Sequence, residues 1–106
     1  MNKYEQLTED LREAYTEAIK AKTGDDGGTA NLDTTFLTLK GWREKQVIEA
    51  IENAGLSCMG KTNWIGIGYF INTGGGQGND RTRVRDKFAE VLRNKEYDVI
   101  HFNKMD

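Results

Sequence analysis

Trp64-Ile65-Gly66-Ile67-Gly68-Tyr69-Phe70-Ile71-Asn72 runs straight into Thr73-Gly74-Gly75-Gly76-Gln77-Gly78 and then Asn79-Asp80-Arg81-Thr82-Arg83-Val84-Arg85. Alternating apolar and small residues predict a strand over 64–72, with Ile65, Ile67, Tyr69 and Ile71 on its core face. Trp64, Gly66, Gly68 and Phe70 share the other face. The glycines predict a loop, and Asn79 or Asp80 is a good N-cap for a helix over 79–95. A helix N-terminus offers free N–H groups and a positive dipole end, so three arginines there call for something negative.

Outward from this run, the spacing predicts a helix over 42–54, with Val47, Ile48, Ile51 and Ala54 on its core stripe and Gly55 at C′. Strands are expected at 30–39, near Leu56–Met59 and at Tyr97–Phe102, with a turn at Gly60–Asn63 between the middle two. The order from residue 30 is β-α-β-β-α-β, the ferredoxin-like split arrangement of the α+β class. A four-stranded antiparallel sheet with two helices on one face follows. Residues 1–22 add an N-terminal amphipathic helix carrying Tyr4, Leu7, Leu11, Ala14, Tyr15, Ala18 and Ile19. One domain spans 1–106, and the second sheet face needs a cover, either that helix or a second subunit.

Composition narrows the function classes. Net charge is −2 and the pI about 5.4, far from the basic footprint of nucleic-acid binders. Mean hydropathy is −0.72, and no run approaches the 18 apolar residues of a membrane span. The charged N-terminus does not read as a signal peptide, so a cytoplasmic setting is expected. The lone Cys58 excludes an internal disulfide and a thiolate metal cage. Charge is uneven: residues 1–33 sum to −4, and residues 79–95 to +3.

Gly55-Leu56-Ser57-Cys58-Met59-Gly60-Lys61-Thr62 satisfies the phosphate-loop pattern G-x-x-x-x-G-K-[ST]. That loop must leave a strand and enter a helix, whereas here it leaves a helix and a strand follows. Lys61-Thr62-Asn63 is therefore expected to close a hairpin. Residues 24–33 lack calcium-loop spacing and read as a solvated turn, so neither metal nor cofactor is expected, while Asn31 and Asp33 offer a candidate second loop of a ligand site. His101 has no sequence-evident catalytic partner.

The glycine loop reads either as a plain connector or as a phosphate cradle. At 100° per residue, Arg81 falls in the apolar sector of its helix, Arg85 at the edge, and Arg83 away. Arg81 then meets a ligand or pairs with a buried carboxylate such as Asp33. Gly66 and Gly68 make either a bare shelf for a flat ring or a close-packing surface.

Gly27-Gly28-Thr29-Ala30-Asn31-Leu32-Asp33, Trp42, Gln77-Gly78-Asn79 with Arg81, and Tyr97-Asp98 with Met105-Asp106 form a larger pattern. Over residues 24–106 it resembles a group of small uncharacterised proteins carried by phages and integrative elements of Gram-positive bacteria. The resemblance implies a genomic setting and no catalytic residues. Accessory proteins in such settings often counter host defence, by sequestering nucleotide immune signals or by blocking defence proteins.

Together these readings favour a non-enzymatic, homodimeric binder of a phosphorylated nucleotide-like small molecule. Arg81 and Arg85 would hold phosphate, N–H groups of Gly76, Gln77, Gly78 and Asn79 would add hydrogen bonds, and Trp64 or Phe70 would stack on a base. The alternative is an inhibitor of a host defence or nucleic-acid-processing protein, acting through the acidic N-terminal helix or an exposed sheet face.

Overall fold

A computed structural model describes residues 2–20, 34–64, 66–72 and 78–102, with the backbone alone at residues 34, 59, 72, 78–82, 101 and 102. Helix α1 (Lys3–Ile19) starts where the Asn2 carboxamide oxygen accepts from the Tyr4 and Glu5 N–H groups, both at 2.9 Å. Strand β1 (Thr34–Thr38), helix α2 (Glu44–Asn53), strands β2 (Ser57–Asn63) and β3 (Ile67–Asn72), helix α3 (Gly78–Asn94) and strand β4 (Asp98–Phe102) follow. Element order is as expected. The expected strand residues 30–33 and the loops at 24–33 and 73–77 lie outside the described residues.

The strands form an antiparallel four-stranded sheet in the order β2-β3-β1-β4. Helix α2 carries the chain from β1 past β3 to β2, and α3 carries it from β3 past β1 to β4. Gly55 ends α2 with φ +84, the Leu56 N–H donating to Ile51 C=O at 3.1 Å and the Gly55 N–H to Glu52 C=O at 2.9 Å. The same closure ends α3, with Glu96 rather than glycine in the left-handed position at φ +71.

Two expectations about the hairpin are corrected. Lys61, Thr62 and Asn63 do not close it; they belong to β2, and the chain reverses between Asn63 and Ile67, where the Trp64 N–H donates to the Gly66 C=O at 3.0 Å. Gly60, φ +98, instead occupies a bulge, where the register slips between Cys58↔Ile71 and Lys61↔Tyr69. A glycine inside an alternating run is compatible with either a turn or a bulge. Trp64 and Gly66 thus lie outside β3, and Ile67, expected in the core, is 57% exposed.

The role of α1 is the third correction. It does not cover the free sheet face. Leu7, Leu11, Ala14 and Ala18 are fully buried where α1 packs against both α2 and α3. Thr8 Oγ1 donates to Ala50 C=O at 3.2 Å, and an Arg12 guanidinium N–H to Asn53 C=O at 3.0 Å.

Asp10 sits among these apolar groups, only 8% exposed. Its carboxylate accepts from the Tyr97 hydroxyl at 2.6 Å and the Gln6 amide at 2.9 Å, and lies 3.6 Å from Lys95, which also pairs with Glu13. Burial pushes the Tyr97 pKa up, and the bond to Asp10 adds to it. A folded-state pKa above the unfolded value stabilises the fold below about pH 10 and is lost as pH rises beyond it. Tyr97→Phe should therefore lower unfolding free energy by about 1.5–3 kcal/mol in urea titrations at pH 7. It should also flatten the loss of stability above about pH 10, leaving the same-sign contributions of Lys95, whose pKa its bond to Glu13 raises, and of Tyr69 and Cys58, raised by burial. An unchanged profile in Tyr97→Phe would remove the role given to this pair.

Candidate functional site

Sheet register puts Phe36, Gly68, Phe70 and Ile100 on the face away from the helices. Gly68 is not a bare shelf. A Cβ built there would meet Phe36 Cε2 and Cζ at 2.7 Å and the Leu37 carbonyl oxygen at 2.7 Å. The fully buried Phe36 ring packs on Gly68 and is roofed by Trp64 and Phe70, with ring centroids 5.3 and 4.7 Å from its own. Trp64 and Phe70 lie 5.6 Å apart, so the two aromatics expected to sandwich a base pack with Phe36. Close packing, one of the two readings of this glycine face, is what the fold uses it for. Gly66 sits apart in the hairpin turn at φ +81.

The α3 N-terminus is described less fully. Gly78, Asn79 and Arg81 form the first turn of α3, which begins at Gly78, so Asn79 and Asp80 are inside the helix rather than capping it. Their side chains, together with Asn31, Asp33, Gly76 and Gln77, lie outside the described residues. Arg85, expected at the edge of the apolar sector, is 4% exposed, with Nε donating to Asp86 Oδ1 at 2.9 Å and a terminal nitrogen 2.8 Å from the same oxygen. The structure thus brings Trp64 and Phe70 together but separates Gly66 from Gly68 and buries Arg85.

Sequence reading missed a cavity on the helix side, beyond the N-terminus of α2. The β2–β3 hairpin overhangs there, and the β1–α2 connection crosses beneath it. The space, about 600 Å³ and mainly apolar, is lined by Leu39, Trp42, Ile67 and Tyr69, with Thr38, Gly41 and Gly66. Lys40 and Lys61 complete the lining; both are exposed and neither ion-pairs among the described residues. Trp42 is held edge-on to Tyr4 at 5.4 Å, under the Lys3 ammonium at 4.8 Å. Tyr4 accepts the Arg43 N–H at 3.1 Å.

Glu44, at the start of α2, accepts the Lys61 N–H at 3.0 Å. Burial raises the Tyr69 pKa, as do the nearby charges of Glu44, Cys58 and Tyr4, and the Tyr69 hydroxyl has no hydrogen-bond partner among the described residues. The sequence signal for this cavity was Lys61 on the Tyr69 face, hidden because Gly60 was read as a turn.

Groups with nucleophilic or metal-binding character are quiet elsewhere. Burial pushes the Cys58 thiol up, against a lowering backbone hydrogen bond from Gly60, so little thiolate forms at neutral pH. Among the described residues no three His, Cys, Asp or Glu side chains group as a metal site, and no helix is long and apolar enough to cross a membrane. Comparison with protein-family models, curated proteins and solved structures finds no match to the chain.

The two glycines of the hairpin should respond differently to substitution. Gly68→Ala drives a methyl into the Phe36 ring and a backbone oxygen, and should destabilise by about 1–3 kcal/mol, with a changed Trp64 emission. Gly66→Ala meets nothing within 4 Å and should cost about 1–2 kcal/mol through its positive φ alone, with emission unchanged. Chemical denaturation and fluorescence of both variants check this; a neutral Gly68→Ala would contradict the packing.

Proposed function

We propose that this chain is a non-enzymatic binding protein that sequesters a small anionic molecule. The observation that carries the reading is the mainly apolar cavity of about 600 Å³ edged by Lys40 and Lys61. That volume is within the range of small-molecule sites, and two ammonium groups beside an apolar floor match an anion on an apolar body. The nucleotide-like class named from sequence loses its base-stacking shelf, since Phe36 packs on Gly68. What remains of it is Arg81 in the first turn of α3, whose dipole favours a phosphate. The β2-β3-β1-β4 order and the βαββαβ connectivity support a ferredoxin-like reading of the core, with α1 added to its helical layer.

Thermal unfolding with AMP, ADP-ribose, a cyclic dinucleotide and short alkyl carboxylates tests the ligand class. A ligand at 100 times its Kd should stabilise by about 2.7 kcal/mol. Lys40→Gln with Lys61→Gln should weaken that ligand by about 2- to 25-fold, since exposed charges contribute about 0.2–1 kcal/mol each. No stabilisation by any of these anions would remove the reading.

A second reading, contact with another protein, is favoured by the aromatic sheet face. Trp64 is 38% exposed, and Phe70 and Ile100 are half-buried, on the side that α1 leaves uncovered. Self-association is the simplest use of it, as the sequence suggested, and blocking of a host protein is the other. Light scattering at micromolar concentration should give twice 12.0 kDa, and Trp64→Ser should shift the mass toward the monomer. A monomeric wild-type chain rejects the dimer.

A further inference from the structure

We infer that the cavity between the β1–α2 connection and the β2–β3 hairpin takes an amphipathic monoanion: an alkyl chain carrying one carboxylate. The inference rests on the proposed reading of the chain as a binder of small anions, and it narrows the ligand class. Ile67 is 57% exposed although its register neighbours on the same sheet face, Tyr69 and Ile71, are 1% and 0% exposed. The hairpin extends past the start of α2, so the helical layer that buries Tyr69 stops short of Ile67. Leu39 and Trp42 complete an apolar floor that the described residues leave open.

The charge at the site supplies the other half of the argument. Lys40 and Lys61 stand on the lining with no carboxylate pairing them among the described residues. Glu44, the acidic group beside β2, is engaged by the Lys61 backbone N–H. A base or a phosphate chain needs several fixed donors and acceptors, and Thr38, the Tyr69 hydroxyl and two mobile ammonium groups are a sparse set for that. An alkyl chain needs none, and its carboxylate needs only a cation at the mouth.

Calorimetric titration of the full chain with hexanoate, octanoate, decanoate and AMP at low salt tests the inference. Burying a methylene contributes about 0.8 kcal/mol, so each added CH₂ should tighten binding about fourfold, and each two-carbon step about 15-fold. Ile67→Ser should flatten that chain-length slope. Lys40→Gln and Lys61→Gln should each weaken decanoate by about 1.5- to 5-fold and leave the slope intact. Ile67 and both lysines are exposed, so these variants should fold, which circular dichroism verifies.

Affinity independent of chain length overturns the inference, as does a slope that Ile67→Ser leaves unchanged. If AMP binds with dependence on Lys40 and Lys61 while the carboxylates do not, this inference falls and the anion-binding reading stands. If no member of the series and no nucleotide binds, both fall.

Discussion

A carboxylate on the inner face of a helix is tolerable only when its charge is met, and Asp10 is met by the Tyr97 hydroxyl, the Gln6 amide and Lys95. That junction joins α1 to the far end of the domain, where α3 turns into β4. Backbone-directed bonds from Thr8 and Arg12 join the same helix to α2. With α1 committed to the helical layer, none of its apolar stripe is left for the opposite side of the sheet. Among the described residues, the face away from the helices is therefore satisfied by its own side chains.

Phe36, Phe70 and Trp64 are the internal solution. Phe36 reaches full burial because Gly68, on the neighbouring strand, has no Cβ to hold its ring off. Offset and edge-on aromatic contacts then shield it from water. The glycine that looked like a platform for a ligand is thus consumed by packing that the placement of α1 makes necessary. Trp64 is only partly covered in this arrangement, which is why the same face remains a candidate for self-association.

Much of the architecture was legible because it rests on local signals. Leu7, Leu11, Ala14 and Ala18 recur at helical spacing, and Gly55 stops α2 where the sequence placed it. The hairpin was misplaced because Gly60 and Gly66 carry the same local information. Which glycine turns the chain and which absorbs a bulge depends on pairing with β3, a long-range fact. Asp10 gave no sign of its partner, since Tyr97 is 87 residues away. Of the candidate site, Trp64 and Phe70 were placed together correctly. The reason for their proximity is Phe36, on a different strand and invisible to a reading of one segment. The helical angle puts Arg85 at the edge of the apolar sector, which agrees with its burial, but angle does not show its pairing with Asp86.

The missed cavity follows from the same long-range bulge. If Gly60 continued the register of Cys58↔Ile71 without a bulge, Lys61 would oppose Gly68 and fall on the opposite face of β2 from the one where it now opposes Tyr69, because strand side chains alternate. The bulge therefore sets the charge at the cavity as well as the position of the turn. Ile67 keeps its place through the unbroken pairing of β3 with β1, so the bulge supplies the cation and the β3 register the exposed apolar residue beside it. A ligand with one charge and an apolar body satisfies both consequences at once, whereas a uniformly polar one would leave Ile67 in water.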